Sequence, residues 1–172
     1  MSKVSRIILA ATFALAAGGC SATIQGTPST TPSRPALSSE ANPLAALKPC
    51  DLLGQMVQGL NYPPVAPDIV NKELACSTRK SDGADIALLL NPGVPFTEQP
   101  TNAGSSRPGN IHGRRALQMR DLGKVKGGCA VRLEVNPQAN VVITAVSDTA
   151  AEQDCQLVDQ LATRLEPMLP KN

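Results

Sequence analysis

Tryptophan is missing from the 172 residues, tyrosine and histidine occur once each, and phenylalanine twice. With aromatics at 2%, the chain lacks the stacking platforms used to hold single-stranded nucleic acid and sugars. An excess of either charge is missing too. Sixteen Lys and Arg face fourteen Asp and Glu, and a net charge of +2 gives no general attraction to nucleic acid. No apolar run reaches the roughly 20 residues that cross a bilayer as a permanent helix. A Walker loop, an EF-hand loop, H-E-x-x-H and G-x-S-x-G are all absent, which removes the common phosphate, calcium, zinc-protease and serine-hydrolase signatures. The length leaves room for one ordinary domain.

The N-terminus carries an address. Lys3 and Arg6 form a short positive region, Ile7 to Ala17 is an uncharged, largely apolar run, and small residues follow up to Cys20. This is the layout of a bacterial secretory leader, so residues 1–19 are set aside from the fold. Ala17-Gly18-Gly19-Cys20 is a lipobox-like site, where the thiol receives a diacylglyceryl group before cleavage; Ala17 stands where an aliphatic residue is usual. Ordinary cleavage after Ala16 is the competing reading, but it leaves an unpaired exported thiol. Two acyl chains on Cys20 suffice for stable attachment. Loss of the leader removes Lys3 and Arg6, so the mature chain is formally neutral.

Residues 20–48 read as a lipidated Cys followed by a disordered Ser/Thr/Pro-rich tether, with runs such as Thr27-Pro28-Ser29-Thr30 and no sustained apolar period. Residues 49–172 read as the folded domain. Four cysteines lie there: Cys50, Cys76, Cys129 and Cys155. Their even number in an exported chain implies disulfides. Zinc is the weaker reading, because no two have C-x₂₋₄-C spacing and His112 is the sole histidine. Three connectivities exist. Cys50–Cys76 with Cys129–Cys155 is preferred, since each joins a helix to a strand nearby in sequence.

Leu52, Leu53, Met56, Val57 and Leu60 recur at helical spacing behind Pro49, a first-turn residue. Strands are expected over 74–80, 85–91, 112–122, 129–135 and 141–147. The segment 85–91 is apolar on both faces and reads as central. In 129–135 apolar and charged residues alternate, which predicts one face turned to solvent. Thr149 and Glu152 form a capping box for a last helix carrying Leu157, Val158, Leu161, Leu165 and Met168. The fold class is therefore α+β, a mainly antiparallel sheet of about five strands with an N-terminal and a C-terminal helix.

Chemistry-bearing residues are few. His112 has no identifiable nucleophile partner and reads as a turn residue. Asp82 and Asp85 flank a hairpin turn. Asn91 to Asn110 reads as a long Pro- and Gly-rich loop bearing Phe96, with Phe96 either making a contact or tucked inward. From Arg107 to Arg132 seven basic residues accompany Asp121 alone, while Asp148 to Glu166 holds five acids and only Arg164. Either a basic patch meets an acidic or lipid surface, or the last helix packs beside those strands and balances them. Phe96, Arg107, His112, Arg114 and Arg115 form the candidate binding surface.

The order of Pro49-Cys50-Asp51-Leu52-Leu53, Leu74-Ala75-Cys76, Ile111-His112-Gly113, Gly128-Cys129-Ala130-Val131 and Asp154-Cys155, behind a lipobox-like Cys20, resembles the actinobacterial lipoproteins of unknown function grouped as DUF3558. The resemblance covers about residues 45–170. Ser77 departs from the Trp often found after the second domain cysteine. The element order is also similar to the Mog1/PsbP-like architecture. The resemblance implies a two-disulfide envelope lipoprotein and no activity. The expectation is thus a monomeric, non-enzymatic module anchored to the outer face of the cytoplasmic membrane. It would bind a partner protein or envelope ligand, with no cofactor, metal or nucleic acid. The alternatives are an exported hydrolase with an unrecognised site and a carrier of a lipid or small apolar ligand.

Overall fold

The structure, a computed structural model, describes residues 42–81, 83–96, 103–123, 127–148 and 151–171. The leader, Cys20, the tether up to residue 41, Asp82, Lys124, Lys126 and the capping Thr149 lie outside the described residues. Helix α1 is Pro49–Met56, with Pro49 in its first turn and Asp51 favourably placed near the positive N-terminal end of its dipole. Its face of Leu52, Leu53 and Met56 is buried. The folded part begins earlier than residue 49: a turn over 43–46 carries Leu44 into the core at 3% exposure, with Leu47 packed beside it.

Seven strands follow rather than five: β1 (Ala66–Pro67), β2 (Ala75–Arg79), β3 (Asp85–Pro92), β4 (Ala103–Ile111), β5 (Arg114–Leu122), β6 (Cys129–Asn136) and β7 (Ala139–Val146). All neighbours pair antiparallel, in the order β1-β2-β3-β7-β6-β5-β4. Helix α2 (Ala151–Leu165) and a 3-10 turn (Glu166–Met168) complete the chain. The expected long loop over 91–110 is corrected at both ends. Asn91 and Pro92 finish β3, and β4 takes residues from 103 onward. Strand β4 was invisible to periodicity because it is an exposed edge of Gly, Ser, Arg and Pro, with no buried face to impose alternation. His112 and Gly113, both at positive φ (49° and 87°), form the two-residue turn that matches hairpin twist between β4 and β5.

Both helices lie against the same face of the sheet. The packed layer contains Leu53, Met56, Ile86, Leu88, Leu133, Ile143, Val158, Leu161 and Leu165. Burying each such side chain stabilises by about 1.5–3 kcal/mol, which opposes the entropy of ordering a chain this size. Two disulfides staple this layer: Cys50–Cys76 joins α1 to β2, and Cys129–Cys155 joins β6 to α2, each across 26 residues.

The opposite face of β6 is not the solvated one that alternation predicts. Arg132 and Glu134 are buried. The reason is the segment after β3, which returns over that face. The Asn140 side-chain amide donates to the Val94 carbonyl at 2.9 Å, Asn91 donates to Asn140 at 3.1 Å, and Phe96 lies 4.9 Å below the Arg115 guanidinium, which reaches Glu134.

Candidate binding groove at the open edge of the sheet

The candidate surface of Phe96, Arg107, His112, Arg114 and Arg115 does not form one patch, because strand parity and turn geometry send its members in three directions. Arg114, on the helix face of β5, is buried. It donates to the Glu134 carbonyl at 2.9 Å, the Pro170 carbonyl at 2.8 Å and Glu166 Oε1 at 3.2 Å. It is therefore a clamp that fastens the end of the chain to the sheet. Arg115 points to the other face, pairs with Glu134 and caps Phe96, which is buried at 7% exposure. Phe96 is tucked inward and offers no contact to a ligand.

His112 stays on its turn, half-exposed, with Nδ1 3.4 Å from Glu166 Oε2. Among the described residues that carboxylate is its one polar partner, so no hydroxyl or thiol stands within hydrogen-bond reach for it to activate. Asp85 pairs with Arg79 across the β2–β3 ladder. Among the described residues no group of three or more His, Cys, Asp or Glu is placed to hold a metal, and no helix is long and apolar enough to cross a membrane.

The charge asymmetry largely closes on itself. Arg120 meets Glu152 at 2.9 Å, the Gln118 amide donates to Asp159 at 2.9 and 3.1 Å, and Arg114 meets Glu166. Helix α2 and the 3-10 turn thus lie beside β5 and pair its Arg120 and Arg114. Arg164 reaches the other way, donating to the carbonyls of Met56 (2.7 Å) and Gln58 (3.1 Å), where a cation suits the negative end of α1.

Arg107 is the member this network leaves over. Opposite Gln118 in the β4–β5 register, it faces the helix side, and no hydrogen bond or ion pair engages it among the described residues. Helix α2 covers β6 and β7, touches β5 and stops short of β4. The shortfall opens a groove of about 410 Å³. Ile111, Ala116 and Val131 form its apolar floor, Gln118, Asp159 and Thr163 its polar wall, and Arg107 its rim. A Cβ on Gly109 would meet nothing within 4 Å, so the strand itself withholds a side chain there. A second depression of about 190 Å³ over Ser105, Ser106 and Arg120 shares Arg107 and Gln118 with the first. Sequence reasoning singled out Arg107 but missed the groove, because its shape comes from where a helix ends over a sheet and no local pattern encodes that.

The architecture defines an α+β protein with a one-layer helical cover and an uncovered sheet edge. The family is then given by the chain itself: residues 15–168 match the family described as "Protein of unknown function (DUF3558)", and the protein belongs to that family. Searches among curated proteins and among solved structures returned no match.

Proposed function

We propose that the protein is an exported cell-envelope lipoprotein. Cys20 fastens it to the outer face of the cytoplasmic membrane, and its folded domain is a non-catalytic binding module for a partner protein. The leader pattern, the small residues before Cys20 and the two disulfides support export and anchoring. The observation that carries the binding reading is the groove between β4 and α2, with its apolar floor and, at its rim, a guanidinium that no side chain among the described residues engages. Its occupant is a protein segment that presents a carboxylate to Arg107 and an aliphatic side chain to Ile111 and Val131. Simple strand addition to β4 is blunted by Pro108, which lacks a ladder donor. Self-pairing of β4 centred on its midpoint would set Arg107 against its own copy, which disfavours a homodimer.

Among the described residues the hydrolase reading finds no nucleophile beside His112. The carrier reading requires space between sheet and helices, and that layer is filled by fully buried side chains such as Leu133, Val158 and Leu161. Two measurements test the proposal. Detergent partition and acyl labelling of intact cells will place the wild type in the lipid phase and Cys20→Ser outside it. A photo-crosslinking residue at position 118, in the polar wall, will give a discrete adduct that Arg107→Glu removes, whereas the same residue at Ser81 will give none. Turnover by the purified protein on a hydrolase panel, lost in His112→Ala, would overturn the binding reading.

A further inference from the structure

Surface aliphatic residues scattered one at a time carry no message, but a concentration of them does. Among the described residues four large apolar side chains are exposed, and three of them, Ile69, Val70 and Leu74, lie in the loop between β1 and β2. Ile69 is 90% and Val70 85% exposed. Turns ordinarily place Gly, Asn, Asp or Ser at such positions, and β-branched residues fit them poorly.

The loop is nonetheless tightly fixed. Asp68 Oδ1 accepts from the Val70 and Asn71 amides at 2.9 and 3.1 Å, its own amide donates to the Ala75 carbonyl at 3.0 Å, and the Asn71 carbonyl accepts from Leu74 and Ala75. The backbone is therefore held so that the two aliphatic side chains point outward, with exposed Lys72 beside them.

We propose that this tip is where the domain rests on the bilayer, Ile69 and Val70 entering the headgroup–acyl boundary and Lys72 reaching the phosphates. The proposal rests on the anchored reading of Cys20. Its second support is the place where the chain leaves the domain. Pro67, one residue before the loop, pairs with Cys76, and Cys76 is bonded to Cys50 with their Cα atoms 5.0 Å apart. Asn42, the first described residue, is eight residues from Cys50, about 29 Å at full extension, and the Cys50–Cys76 and Cys76–Pro67 links carry that corner on to the tip, within about 45 Å in all.

Three side chains fall far short of the roughly 800 Å² each partner buries in a stable protein interface. A bilayer accepts a small apolar protrusion, and the anchor supplies the effective concentration that two aliphatic residues lack by themselves. A formally neutral mature chain supplies no bulk electrostatic attraction to replace them.

The absence of tryptophan makes the test direct. With Cys50, Cys76, Cys129 and Cys155 in disulfides, Cys20 is the remaining thiol, and the chain from Cys20 onward keeps every described residue. That chain is coupled through Cys20 to vesicles containing a maleimide-headgroup phospholipid, so the result does not depend on whether cells acylate Cys20. Failure of the anchored reading is seen separately, in the partition of Cys20→Ser. Val70→Trp serves as the single reporter and Ser81→Trp, in the turn beyond the far end of β2, as its control. Ile69→Trp replaces Val70→Trp if circular dichroism shows the latter misfolded. The expected result is a blue-shifted emission for the tip tryptophan and at least a twofold quenching by acyl-brominated lipid, with Ser81→Trp unaffected. Water-like, unquenched emission at the tip overturns the proposal and assigns the loop to a protein partner. Equal quenching at both positions overturns it as well.

Discussion

The two edges of the sheet are made of opposite materials. At one, β1 has two residues, is backed by the Cys50–Cys76 staple and borders the covering helix α1. At the other, β4 runs for nine residues, all exposed but its two ends, holds Pro108, Gly104 and Gly109, and has no helix above it. Side-chain burial accounts for both. Where a helix lies on the strands, apolar residues are locked into the layer and cross-linked; where it stops, the strand is polar and a groove remains. Stability is concentrated on the stapled side and recognition has room on the open one.

This contrast is broken most severely by removing the staple. A 26-residue closed loop contributes about 3.5 kcal/mol in the chain-entropy estimate, so Cys50→Ala with Cys76→Ala should lower the urea-unfolding free energy by about that much. The smaller consequence sought at the open edge, an intact position-118 crosslink in whatever fraction stays folded, separates the two sides.

A lesser effect is expected from Arg114→Met, which leaves two carbonyls and a mostly buried Glu166 without their donor. The loss should be about 2 kcal/mol by the same unfolding measurement, with faster hydrogen exchange confined to the amides of Glu166, Met168 and Leu169. Smallest of all is Gly109→Leu. Its backbone is not left-handed and a side chain there enters open space, so stability should change by under about 0.5 kcal/mol while the adduct formed from position 118 disappears. A large destabilisation from Gly109→Leu would mean that the open edge carries packing after all.

Periodicity made α1, β2, β3, β6, β7 and α2 legible, because each has a buried stripe at helical or strand spacing: Leu52 with Met56, Ile86 with Leu88, Leu161 with Leu165. The preferred cysteine pairs are the ones joined, since helix–strand neighbours in sequence are also neighbours in space. Strand β4 gave no signal, having nothing to bury, and β1 is too short to have a period. The reading of 129–135 failed on one face. Alternation shows which residues share a side but not that Gly93–Phe96 returns over that face, to Asn140 and to the Arg115 that pairs with Glu134. For the site, charge singles out Arg107, which lies at the groove rim, whereas no local pattern reveals the clamp of Arg114 to Pro170 or the Arg115 lid that decides between the two positions open to Phe96.

The Cys50–Cys76 bond also decides how the molecule carries mechanical load. A pull on the chain from its N-terminal side enters at Cys50 and crosses to β2 through sulfur, bypassing residues 51–75. Helix α1 and β1 sit inside that bypass and bear no tension, so they cannot be peeled away one turn at a time. Force reaches the sheet as a shear along β2, shared at once with β3 through five paired positions.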